Sequence, residues 1–123
     1  MKPVRYALLV ATAAILMAPA ARAAEAKVTV TGEVIDSACY IKMGARGESH
    51  RECAQKCADA GISLALLEDG TGQVVWLFSV EDATTPNKML RPHAGRKVMV
   101  SGTWAERGGA RIFLVESVSP AKS

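Results

Sequence analysis

Aromatic residues are scarce in this chain of 123 residues, with two each of Trp, Tyr and Phe, and there are only three cysteines and two histidines. Three cysteines cannot all pair within one chain. They also fall short of the four thiolates that an iron–sulfur cluster usually takes. No Cys-x-x-Cys-His run is present for haem attachment, and no Cys-x-x-Cys with a βαβ pattern for thioredoxin-like exchange. No Ser/His/Asp order, glycine-rich phosphate loop or carboxylate pair stands out, so no catalytic residues are assigned and no enzyme activity is indicated. Internal repeats, low-complexity tracts and linkers are missing too, which leaves one domain with room for one modest core.

Excess charge is lacking as well, once its location is considered. The chain carries 15 Lys+Arg against 12 Asp+Glu. Three of the bases, Lys2, Arg5 and Arg22, lie in residues 1–23, which read as a secretory signal peptide. Lys2 and Arg5 form the positive n-region, an apolar run extends to Pro19, and Ala21-Arg22-Ala23 has the form of a cleavage site. The remainder, residues 24–123, is formally neutral and has no basic footprint for nucleic acid. The apolar run of the leader is shorter than the ~20 residues that span a bilayer, and no later segment reaches that length. The mature domain is therefore expected to be periplasmic or secreted, without stable membrane insertion.

Five short β-type runs are present. Residues 27–35 place Val28, Val30, Gly32 and Val34 at alternate positions. Residues 62–67 and 73–80 flank a turn containing Gly70 and Gly72. In 73–80 both faces are apolar, which predicts a central strand with Trp76 and Phe78 in the core. Residues 97–104 contain Gly102, placed for a bend or bulge, and 111–118 follow the turn Arg107-Gly108-Gly109. The pattern predicts a mainly β fold, a small five-stranded OB-like barrel with a short helix inserted between strands 1 and 2. A small open α+β sheet is the alternative.

That inserted segment holds all three cysteines. Ser49 and Glu52 have capping-box spacing, and Gly61 suits the residue after a helix. At ~100° per residue, His50, Cys53 and Cys57 share one helix face. Cys39 would reach them from a loop, with Tyr40 and Ile41 buried against the helix. Cys39, His50, Cys53 and Cys57 together make a four-ligand Cys3His set for zinc or copper(I). Met43 is a packing residue with the chemistry of a copper(I) neighbour. His93, Asp36 and Asp69 read as turn residues. Other readings stay open at this point. Cys39 could pair with Cys53 or Cys57 as a disulfide staple, or the cysteines could be inert packing. Cys53 in a first turn beside His50 could serve a thiol redox protein. The barrel could bind a ligand or a protein partner of that compartment through Trp76, Phe78 and Trp104.

Gly-Glu-Val-Ile-Asp-Ser-Ala-Cys-Tyr, His-x-x-Cys-Ala-x-x-Cys-Ala and Leu-Arg-Pro-His-Ala-Gly-Arg-Lys-Val-Met-Val-Ser-Gly-Thr together resemble a group of small exported bacterial proteins with an OB-like domain. The resemblance spans most of the mature chain. It implies the fold and the Cys/His positions, and it implies no activity.

Overall fold

Alternation of apolar residues sets the inner face of each strand, and hydrogen bonding joins the strands into a ring. The computed structural model describes residues 26–122; the predicted leader lies outside the described residues. Strand β1 (Val28–Asp36) is followed by helix α1 (Ser37–Met43), a 3-10 turn (Glu48–His50) and helix α2 (Arg51–Asp59). Then come β2 (Leu64–Glu68), β3 (Val74–Ser79), the short helix α3 (Asn87–Leu90), a 3-10 turn (Arg91–His93), β4 (Lys97–Arg107) and β5 (Ala110–Pro120). The strands close in the order β1-β2-β3-β5-β4, with β4 returning to β1. All neighbours are antiparallel except β3 and β5, which run parallel. The open sheet is excluded by that closure.

Val30, Val34, Leu64, Leu66, Val75, Leu77, Val98, Val100, Phe113 and Val115 fill the ring, and Ala54 and Ala58 of α2 and Leu90 of α3 join the same cluster. Burial of each large apolar side chain there contributes roughly 1.5–3 kcal/mol. A second, smaller cluster of Ile35, Ala65 and Leu67 lies on the opposite face of β1 and β2, where Tyr40 of α1 and Val74 pack against it. Both faces of β2 are thus covered, which explains why Leu64 to Leu67 are all buried.

Two glycines set the strand geometry. A Cβ on Gly32 would lie 2.2 Å from the Leu67 carbonyl oxygen, and one on Gly102 would lie 1.9 Å from that of Leu114. The register of β4 against β5 shifts between Ser101 and Gly102, so the bend expected at Gly102 is present. A bulge of this kind increases local twist and lets two strands coil around a ring.

Three expectations are corrected. Trp76 and Phe78 are 43% and 48% exposed, not core. In a closed ring every strand has two neighbours, so central position implies nothing about the outer face. Tyr40 of α1 packs on the outer face of β1 and β2, and Trp76 and Phe78 on the outer face of β3 are left to solvent. Cys39 comes from helix α1 and not from a loop. Ile41 on that helix is 62% exposed, while Tyr40 packs against strand residues and not against α2.

Candidate metal centre

Helix α1 begins where Asp36 stops β1. The Asp36 side chain accepts the Cys39 backbone N–H at 3.0 Å, an N-cap that fixes the first turn. At the other end Gly44 adopts a left-handed conformation and its N–H reaches the Tyr40 carbonyl at 2.8 Å. Ser37 Oγ donates to the Ser63 carbonyl at 2.7 Å, tying α1 to the segment that enters β2.

The connection to α2 is held by Glu33, a nearly buried carboxylate on β1. It accepts the Gly47 N–H on one oxygen, and Arg46 Nη2 and Nε on the other at 2.8 and 3.1 Å. This clamp places the 3-10 turn, and α2 then starts at Arg51 with His50 as its first flanking residue. The capping box expected from Ser49 and Glu52 is not formed, because Ser49 sits inside that turn and no side chain caps α2. At the C-terminus the Ile62 N–H bonds to the Cys57 carbonyl and the Gly61 N–H to the Ala58 carbonyl, with Gly61 at φ +93°. That is the Schellman arrangement, with glycine where a left-handed residue is needed.

Helix α2 carries three stripes. Ala54 and Ala58 enter the core. Arg51, Gln55 and Asp59 point to the second 3-10 turn: Arg51 donates to the Pro92 and Ala94 carbonyls at 2.8 and 3.0 Å, and Gln55 to the Arg91 carbonyl at 3.2 Å. Asp59 completes this edge with an ion pair to Arg91, at 2.6 Å. Buried Asn87 holds the helix end, donating to the Ala58 and Ile62 carbonyls and accepting from the Leu64 N–H. His50, just before the helix, and Cys53 and Cys57 on it form the third stripe, which carries the donors that meet α1.

Donor atoms of Cys39, His50 and Cys53 lie within 4.8 Å of one another. A second set, Asp36, Cys39 and Cys57, meets the same limit, with Cys39 common to both. The four side chains singled out in the sequence are thus divided between two overlapping triads, with Cys57 grouped beside Asp36 and not beside His50. All three thiols are free of disulfides; Cys53 is exposed, and Cys39 and Cys57 are half-buried. His93 belongs to neither set, and Met43 is exposed at the end of α1.

Asp36 is the residue that sequence reading missed. It is fully buried, and its Oδ2 has no hydrogen-bond partner; His50 Nε2 is likewise buried without one. The signal was the spacing Asp-Ser-Ala-Cys, which sets an N-cap carboxylate three residues before a thiol. Burial is the largest influence on the Asp36 carboxyl and raises its pKa. The Cys39 amide, the Cys57 and Cys39 thiols and the Ala38 amide together outweigh it, so the net position is below the usual carboxylate range. That carboxylate in turn favours the protonated Cys57 thiol, which, with burial and the neighbouring sulfurs, is pushed up to about 12. Cys39 is raised as well, by burial first and then by Asp36. In the metal-free protein these two thiols hold their protons, and a cation of sufficient affinity would have to displace them.

Comparison with known protein families, with characterised proteins and with solved structures finds no match for this chain.

Proposed function

We propose that this is a small exported metal-binding protein, in which an OB-like ring of strands supports a Cys/His centre for zinc or copper(I). Cys39, His50 and Cys53 supply the ligands, and Cys57 lies next to Cys39 as the fourth donor of the set. The order β1-β2-β3-β5-β4 with β3 and β5 parallel supports the OB-like assignment. The leader sequence supports export to the periplasm or beyond, where the metal ion and a protein that delivers or receives it are the expected partners.

The observation that carries this reading is the approach of Cys39 on α1 to His50, in the 3-10 turn that leads into α2, and to Cys53 on α2, within 4.8 Å. Two helices with separate anchors present sulfur and imidazole donors to one point, and those donors suit zinc and copper(I) better than calcium or magnesium. Simple packing would have left His50 Nε2 with a protein partner or in water, and it has neither. The site either handles the metal as cargo or uses it to hold α1 against α2.

Elemental analysis and non-reducing intact mass of protein purified from the exported compartment test the proposal. Bound zinc or copper, with a mass that retains all three thiol hydrogens after metal removal, is the expected result. A metal-free chain lighter by the two hydrogens of a disulfide would overturn it. A second reading draws on Trp76 and Phe78, whose exposure on β3 suits a partner-binding ring. Under that reading the purified chain carries no metal, and Trp76→Ala releases a co-purifying protein.

A further inference from the structure

Resting on the metal-binding reading, we infer that the centre takes two divalent ions, with zinc the preferred metal and the Cys39 thiolate bridging them. The first ion is held by Cys39, His50 and Cys53, and the second by Cys39, Cys57 and the Asp36 carboxylate. Each triad independently brings its donor atoms within 4.8 Å, and Cys39 is the one residue they share.

Asp36 is the reason for assigning the second ion. An N-cap needs a single acceptor oxygen, which Ser or Asn provides without a charge. Here one carboxylate oxygen accepts the Cys39 amide, and Oδ2 is left buried with no partner. Among the described residues no Lys or Arg forms an ion pair with Asp36. Its charge is faced only by backbone amides and by the weakly donating thiols of Cys39 and Cys57, with no cation, and a fully buried carboxylate held in that way is costly unless something more compensates it. The sulfurs of Cys39 and Cys57 lie beside it, and a divalent cation placed among the three removes that cost.

Charge balance leads to the same count. With three thiolates and one carboxylate, the centre carries four negative charges, and a neutral His50 adds none. One divalent ion neutralises half of them; two neutralise all. Binding both ions displaces the three thiol protons to solvent. A carboxylate oxygen is also a hard ligand, which suits zinc and is a poor donor for copper(I), so Asp36 decides between the two metals left open by the cysteines.

Zinc titration of the full mature chain, stripped with chelator under reducing conditions and followed by native mass spectrometry, tests this directly. The wild type is expected to bind two zinc ions. Asp36→Asn, which retains an oxygen for the Cys39 amide, and Cys57→Ser should each bind one, while Cys39→Ser should lose both. Circular dichroism of each variant verifies that it is folded. Cobalt(II) gives a second readout: bridged ions in the wild type couple and lose paramagnetic signal per cobalt, and Cys57→Ser regains it. A wild type that stops at one zinc overturns the second ion and leaves the Cys39-His50-Cys53 reading intact. A wild type that binds none removes both. Two ions retained in Asp36→Asn and Cys57→Ser would place the second one elsewhere and overturn this assignment.

Discussion

Asn87 shows how much of the centre depends on a residue with no metal chemistry. Its side chain bonds two carbonyls around the end of α2 and the first N–H of β2. Asn87→Ala leaves those buried groups without partners, at about 1–3 kcal/mol for each one not rescued by water. The expected result is a lower urea midpoint with unchanged m-value, together with weaker zinc binding, because α2 is no longer held at its C-terminal end. Asp59 and Arg91 act on the same helix from its exposed edge. Arg91 holds the Asp59 carboxyl below its ordinary range, first by hydrogen bonding and then by charge. A carboxylate whose pKa is lowered on folding adds stability above its unfolded value, near pH 4, and loses it as pH falls through the folded value. Asp59→Asn should flatten that part of the pH–stability profile, coinciding with the wild type at the acid end and lying slightly below it at neutral pH, a small loss because the pair is solvent-exposed. Neither contact could be read from sequence: each joins residues far apart in the chain, and only the fold makes them neighbours.

At the scale of elements, α1 and α2 are each fixed by contacts that do not involve the thiols. Asp36, Ser37 and Gly44 hold α1, and the clamp of Glu33 on Arg46 and Gly47 sets the turn before α2. Glu33→Gln keeps an acceptor for Gly47 but removes the charge that holds Arg46. Faster amide exchange in residues 44–52, with β1 itself still protected, is the expected outcome. Chelation of bound metal should have a related but distinct signature, with loss of protection across α1 and the first turns of α2 only. The helix around Cys53 and Cys57 was legible because its Ala, Gln and Lys content and the Gly61 stop are local signals. Helix α1 was not, since Ser-Ala-Cys-Tyr-Ile-Lys-Met has β-branched and aromatic residues and is short enough for the Asp36 cap to decide it. The start of α2 was misplaced for a related reason. Ser49 and Glu52 have the right spacing, but Glu33 draws the preceding loop into a 3-10 turn that occupies Ser49.

For the whole molecule, ring closure matters more than the identity of any one strand. The long β4–β5 hairpin supplies it, wrapping from β3 round to β1, and Gly102 lies where Leu114 passes too close for any side chain. Gly102→Ala must push that backbone apart. A destabilisation of about 1–3 kcal/mol is expected from overpacking, read by thermal or urea unfolding. Along the hairpin Phe113 is fully buried against the edge of Trp104, whose other contact is the Arg111 guanidinium 3.8 Å from the ring. The five strands were visible as alternation of Val and Leu with turn glycines, and their boundaries moved by only a few residues. Which face of β3 is outside was not visible, because Val74, Trp76 and Phe78 are as apolar as Val75 and Leu77. Periodicity can assign a face only where the two faces differ.

X-ray absorption of the zinc-loaded protein at the zinc edge tests the centre most directly, because it counts the donor types around the ion. A shell of sulfur near 2.3 Å, with nitrogen or oxygen near 2.0–2.2 Å, is the predicted result. A shell of nitrogen and oxygen alone, unchanged when Cys39 is replaced by Ser, would contradict it.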